Sequence, residues 1–298
     1  MLAVNRVVVA VLQALPPGLL WRFARRYVAG VTLPQALAVV RDLTKRGLTA
    51  TLDILGEDVS SAPEARADGA AYGEALRAIH RERLPCSLSV KPTHMGLKLD
   101  RALCLEILRA IAAEAADLGN FVRLDMEDAT CTDATLELHQ ALRDEGRPVG
   151  VVLQAYLKRS EADARRLAAA RANVRLCKGI YRESPAMAFQ ERQVIRERFI
   201  ALLEILLGGG CFVGIATHDA WVIGEAQRLA ARLGLRREAY EFQMLLGVRE
   251  DLRDRLLDEG ERLQIYVPFG EKWRTYCLRR FRENPRILVN VLTALARR

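Results

Sequence analysis

From Gly47 onward the chain alternates short apolar runs with stretches of helical periodicity. The runs cover 48–55, 87–90, 121–126, 149–153, 174–177, 212–216, 240–244 and 263–267, lengths that suit buried strands. Between them apolar residues recur every three or four positions, as in Leu103, Leu105, Ile107, Leu108 and Ile111 over 101–118, and again over 191–207. Asp100, Thr132, Ser160 and Asp219 are placed to cap helix starts. Gly119, Gly146 and the glycines at 208–210 fall where helices should stop. Eight strand–helix units predict an α/β fold, a (β/α)8 TIM-type barrel of ~250 residues. A doubly wound sheet is the competitor, but the GxGxxG fingerprint is nowhere in the chain.

The ends of the runs change character. Lys91, Asp125, Gln154, Lys178, Thr217-His218, Gln243 and Tyr266 each fall at or just beyond an apolar run. In a barrel of this type the C-terminal strand ends and the loops after them form the active-site face. Each residue alone could simply begin a loop; seven in one register predict a polar mouth.

Residues 1–46 read as a separate helical segment, followed by the barrel over 47–298. The apolar run 7–15 is too short to span a bilayer, which needs ~20 residues. Pro16-Pro17 stop it, and the aromatic–basic stretch from Leu19 to Tyr27 makes a poor signal-peptide cleavage region. The stretch reads as a helix packed on the barrel; contact with a membrane surface is the functional alternative. The 298 residues, 51% hydrophobic and 28% charged, describe an ordinary globular chain. A net charge of +8 would admit an anionic partner. The basic residues are dispersed among acidic ones, however, so nucleic acid is not expected. Six cysteines without a CxxC pair, and four histidines without HExxH, offer neither a metal site nor a disulfide framework, and suit a reducing cytoplasm.

The segment 266–285 predicts a short strand, a Pro-Phe-Gly turn and a helix over 271–284 that ends before Pro285. On helical spacing Tyr276, Arg279, Arg280 and Glu283 share one face. Adjacent guanidiniums form a fork for a carboxylate or phosphate, with Glu283 placed to orient one of them. A solvated basic helix end is the plainer alternative.

The predicted mouth thus holds cations (Lys91, Arg175, Lys178, Arg279, Arg280), amides, rings and one well-placed carboxylate, Asp125, but no Ser-His or Cys-His pair. That profile fits an enzyme whose hard chemistry belongs to an organic cofactor. A Schiff-base aldolase, with Lys91 or Lys178 as the amine, is the chemical rival. A binding module would not need so many charged strand ends.

The motifs Ser89-Val90-Lys91-Pro92-Thr93, Arg123-Leu124-Asp125-Met126-Glu127, Leu153-Gln154-Ala155-Tyr156-Leu157-Lys158-Arg159, Arg175-Leu176-Cys177-Lys178-Gly179, Ala216-Thr217-His218 and Glu241-Phe242-Gln243-Met244-Leu245, with the segment 266–285, together resemble the bacterial monofunctional proline dehydrogenases. The resemblance runs in order from about Gly47 to Pro285. It implies a distorted barrel with extra N-terminal helices and a C-terminal helix over the mouth. It also implies FAD, held by the mouth, and oxidation of L-proline to Δ1-pyrroline-5-carboxylate. By resemblance Arg175 lies beside the flavin, and Met126, Gln154, Lys178, Gly179, Ile180, Thr217, His218 and Gln243 hold it. Lys91, Arg279 and Arg280 bind the proline carboxylate, Glu283 ties down the arginine helix, and Tyr181, Leu245 and Tyr266 wall the ring. Asp125 completes the polar network around Lys91 and, with Arg175, is the catalytic candidate.

Ile180, Arg274 and Leu246 depart from the residues usual in the family and bear on flavin packing. Tyr266 favours proline over hydroxyproline, because its bulk crowds a ring hydroxyl. The same resemblance implies a quinone as electron acceptor, peripheral contact with the inner face of a membrane, and hand-off of the product to a pyrroline-5-carboxylate dehydrogenase.

Overall fold

The computed structural model describes residues 17–277. The strands β1 (Thr49–Ile54), β2 (Cys86–Val90), β3 (Val122–Leu124), β4 (Val149–Gln154), β5 (Asn173–Cys177), β6 (Phe212–Ala216), β7 (Tyr240–Leu245) and β8 (Leu263–Phe269) close in chain order. Every neighbouring pair is parallel, and β8 pairs back onto β1. All eight apolar runs became strands, with ends within two residues of those expected. Around them lie α1 (Pro17–Ala24), α2 (Leu33–Lys45), α3 (Ala62–Arg81), α4 (Arg101–Asp117), α5 (Thr132–Asp144), α6 (Ser160–Ala169), α7 (Arg192–Gly208), α8 (Ala220–Arg232) and α9 (Glu250–Asp258).

Two caps are as the sequence predicts. Asp100 accepts from the amides of Ala102 and Leu103, and Asp219 from that of Trp221. The other two differ. Thr132 is the first helical residue of α5, because Asp128 has already capped a short 3-10 turn over Ala129–Cys131. Ser160 spends its hydroxyl on the carbonyl of Gln154, at 2.6 Å, tying the start of α6 to the end of β4. A further difference is at β8, where Pro268 and Phe269 extend the strand and the turn begins at Gly270.

Successive strand residues face opposite sides. Leu52, Leu88, Leu124, Val151, Leu176, Ile215, Phe242 and Ile265 face the helices and form one continuous apolar core with them. This wall is what closes the barrel. Burying a Leu or Ile side chain contributes about 1.5–3 kcal/mol.

The slot between β8 and β1 is filled from an unexpected direction. In a regular barrel the helix after the last strand lies there. Here α2 does, placing Ala36, Leu37, Val40 and Leu43 in the core against β1 and β8. The helical turn that follows β8, over 273–277, instead meets α1, with Trp273 edge-on to Trp21 at 4.9 Å between ring centroids. Backbone bonds from Ala29 to Pro268 and from Gly270 to Gly30 lock the N-terminal segment to the end of β8. Leu20 and Ala24 are buried and Arg26 donates to the carbonyl of Gly247. Within 17–27 these residues pack as the helix reading expected. The apolar run 7–15, and Arg279, Arg280 and Glu283, lie outside the described residues.

Candidate active site

The inward-facing residues of the same strands build a polar lumen, where barrels of this type ordinarily stack branched aliphatics. Large polar side chains come from β1, β3, β5, β7 and β8, and small residues make room for them. A Cβ on Gly214 of β6 would lie 2.4 Å from the Gln243 amide, and one on Gly150 of β4 would lie 2.8 Å from the Arg123 guanidinium.

Arg175 is the hub. Its Nη1 donates to Asp125 Oδ1 at 2.8 Å and to Ser89 Oγ at 3.0 Å, and its Nε donates to Gln243. Its guanidinium lies 5.2 Å from the centre of the Tyr266 ring, a cation–π contact. The Tyr266 hydroxyl donates to the second oxygen of Asp125 at 2.8 Å. Gln243 passes its amide on to Glu241 (2.8 Å) and Gln264 (3.0 Å). Lower in the lumen Arg123 donates to the carbonyls of Val151 and Asn173 and, at 2.7 Å, to Asn173 Oδ1. Lys91 donates to Asp53 Oδ1 at 2.7 Å. Three cations (Lys91, Arg123, Arg175) thus face three carboxylates (Asp53, Asp125, Glu241), all buried.

Burial sets the electrostatics. It raises the Asp53 carboxyl, and Lys91 offsets that only partly. Burial alone would lower the Lys91 ammonium, but Asp53 and Asp125 outweigh it and hold the charge. Burial and then the repulsion of Arg175 bring Arg123 down to about 9. Burial, with Asp125 and Asp53 nearby, keeps the Tyr266 phenol well above its ordinary value. Tyr266 therefore stays a neutral donor and Lys91 a cation.

Around this lumen the rim is set by loop contacts. Glu127 accepts from the amide and hydroxyl of Thr93, joining the loops after β2 and β3, and burial raises its carboxyl to about 7. Gln154 donates to the Glu127 carbonyl at 2.8 Å. His218 Nε2 accepts from the Leu245 amide at 2.9 Å, so that nitrogen is unprotonated. Lys178 donates to Asp219, which also binds Arg196 through both carboxylate oxygens. Those donors pull the Asp219 carboxyl far down although burial opposes them. Burial, aided by Arg196 and Arg192, lowers Lys178. Gly179 has φ +103°, and a Cβ there would overlap the Tyr156 ring, so only glycine lets the chain pass so close.

Lys91, Asp125, Gln154, Arg175, Gln243 and Tyr266 converge in the lumen as the sequence predicts. Lys178, Thr217, His218 and Leu245 stand at the rim, with Tyr181 half-buried and Ile180 exposed in the loop after β5. Two expectations gain detail and one needs correction. The hydrogen-bond partner of Lys91 is Asp53, while both oxygens of Asp125 go to Arg175 and Tyr266. The Met126 side chain belongs to the apolar core, which leaves its backbone for any ligand. The mouth is also richer in acid than one carboxylate, since Asp53, Glu127 and Asp219 stand there too. Asp53 was missed because it lies inside an apolar run, where a single carboxylate looks like noise.

The comparisons agree with this geometry. The family described as Proline dehydrogenase matches residues 36–291. Proline dehydrogenase 1 of Bacillus subtilis is 37% identical over 92% of this chain and 91% of its own length. Proline dehydrogenase of Deinococcus radiodurans is 35% identical over 90% of this chain and 88% of its own. Among solved structures, proline utilization A (PutA) from Bdellovibrio bacteriovorus, inactivated by N-propargylglycine, superimposes with a TM-score of 0.82 at 26% identity. That match covers 88% of this chain and 32% of the longer PutA chain. A family match spanning most of the barrel and relatives aligned nearly end to end lead to one conclusion: the chain belongs to the proline dehydrogenase family.

Proposed function

We propose that the chain oxidises L-proline to Δ1-pyrroline-5-carboxylate with FAD held at the barrel mouth, and passes the electrons to a quinone. The observation that carries this is the buried Asp125–Arg175–Gln243 network beneath Tyr266, with the Lys91–Asp53 pair beside it. Such a site offers an anion-binding cation, fixed donors and a neutral phenol, and suits a small amino acid beside an aromatic cofactor.

The donor set fits FAD. Arg175, Gln154, Gln243 and the backbone of Met126 match the carbonyls and nitrogens of a flavin ring. Lys178, Thr217 and His218, with Gly179 and Ile180 leading away from β5, suit its ribityl and phosphate parts. When bound, FAD supplies the acceptor for the hydride that leaves the proline ring carbon next to nitrogen. Lys91 holds the substrate carboxylate, joined in this reading by Arg279 and Arg280 with Glu283 orienting them. Tyr181, Leu245 and Tyr266 exclude water from the ring. Asp125 keeps Arg175 in place and fixes the Tyr266 hydroxyl, which leaves little room for a hydroxylated ring. The aldolase alternative is weakened by Lys91 being held charged and by Lys178 being committed to Asp219. Peripheral membrane contact, which would give access to quinone, is supported by where the exposed large hydrophobics fall. Among the described residues Leu99, Ile180 and Met187 all sit in loops after β2 and β5, on the mouth side.

The test is a spectrum. Protein purified with ample riboflavin should be yellow, and anaerobic L-proline should bleach the flavin band. Flavin-free protein, or a flavin that proline leaves oxidised, would overturn the reading. A quinone analogue should then restore the band, and product hand-off to a pyrroline-5-carboxylate dehydrogenase follows only if that cycle runs.

A further inference from the structure

Asp53 enters the reading above only as the partner of Lys91 and has no role of its own there, yet it is fully shielded from solvent in the middle of the site. It is the last inward-facing residue of β1, and the parallel register sets it beside Ser89 of β2. Lys91 follows two positions beyond Ser89, on the same face. From there its ammonium reaches back 2.7 Å to Asp53 Oδ1.

Two further carboxylates stand within electrostatic reach of Lys91, Asp125 and, more weakly, Glu57. Both Asp125 oxygens are engaged, however, one by Arg175 and one by Tyr266. A lysine stem is flexible and its ammonium is a point charge without the fixed fork of arginine. Where it rests is therefore decided by the nearest carboxylate that has no other cation.

We infer that Asp53 is a positioning residue that holds the Lys91 ammonium where a substrate carboxylate is received and keeps it off Asp125. This rests on reading the mouth as an amino-acid carboxylate site. Two cations would otherwise compete for Asp125, and Arg175 would lose its anchor. Because Asp53 acts through Lys91, its effect should vanish when Lys91 is gone.

The experiment is a cycle on the FAD-loaded enzyme, comparing wild type, Asp53→Asn, Lys91→Met and the double variant. Asp53→Asn should raise KM for L-proline roughly tenfold, the scale of one misplaced charge-assisted hydrogen bond, with kcat changed by less than about threefold. In the Lys91→Met background the same change should move KM by less than about twofold. Asp53→Glu, which keeps the charge, should recover part of the loss. An equal rise in both backgrounds, or no rise in the single variant, overturns the inference. If Asp53→Asn fails to fold, Asp53→Leu combined with Lys91→Met replaces the pair by apolar groups. A KM matching Lys91→Met alone then supports the role, and a further large rise refutes it. If the wild type does not turn over proline at all, the functional reading falls separately. Asp53 is then judged by amine-reactive labelling of the Lys91 peptide, which should increase in Asp53→Asn and overturns the role if unchanged.

Discussion

On β1 the residues Ala50 and Leu52 turn outward into the apolar core, while Thr51 and Asp53, their immediate neighbours, turn inward into the polar network. The same contrast holds on β5, where Val174 and Leu176 face the helices and Arg175 faces the lumen. Wall and lumen thus come from alternate residues of the same strands but are held by different forces. The wall gains from removing area from water and tolerates many sequences of the right volume. The lumen gains little net energy, since buried ion pairs roughly break even. What it obtains is a fixed arrangement of charge, at the risk of heavy loss if one partner goes. Stability therefore resides mostly in the wall and specificity in the lumen.

The largest effect that would sharpen this contrast comes from Arg175→Met. It leaves Asp125 buried without its cation, and losses of this kind run to ~3–5 kcal/mol. Denaturant unfolding should show that loss, and flavin reduction at saturating proline should slow. Adding Asp125→Asn should recover part of the stability but none of the rate. Leu176→Ala, one residue along and facing outward, should cost ~2–4 kcal/mol by leaving a cavity. Its KM for proline should stay near the wild-type value; a changed KM would break the division of labour between the two faces.

The effect that is smallest at neutral pH, and grows only as the pH falls, lies just outside the wall, at His139 on α5. Burial, with Arg143 and Arg123 near, pushes this imidazole down to about 3, and its Nε2 finds no partner among the described residues. An unfolded histidine titrates near ~6.5. As pH falls below that, the unfolded chain takes up a proton that the native one refuses. Stability present above ~6.5 should therefore drain away toward pH 3, by at most ~1.4 kcal/mol per pH unit. His139→Leu should flatten this slope in unfolding curves measured between pH 7 and 4. An identical slope in both proteins would assign the acid sensitivity elsewhere.

The wall was legible in the sequence because strand-length apolar runs and helical periodicity are both local signals. So were the lumen residues at strand ends, since a polar side chain closing an apolar run stands out. Asp53 and Arg123 were harder, being polar residues inside strands whose partners lie on other strands. The pairing of Lys91 with Asp53 rather than Asp125 depends on β1–β2 register, which no single segment specifies. Thr132 and Ser160 misled for a related reason: a hydroxyl at a helix start can serve the preceding strand or turn as readily as the helix. The use of α2 to fill the gap between β8 and β1 left no mark in its own periodicity, which is that of any amphipathic helix.

That last arrangement has a consequence for how the protein is made. The partner strands of α2 are neighbours in the barrel but the first and last of its strands in sequence, and β8 leaves the ribosome ~220 residues after α2 does. At ~5–20 residues per second the wait is on the order of 10–45 s. Throughout it Ala36, Leu37, Val40 and Leu43 have only the β1 side of their slot to rest on. An early helix, α2, is thus among the last to be seated, and a nascent chain stalled before β8 would display its apolar face as a sticky, half-covered stripe.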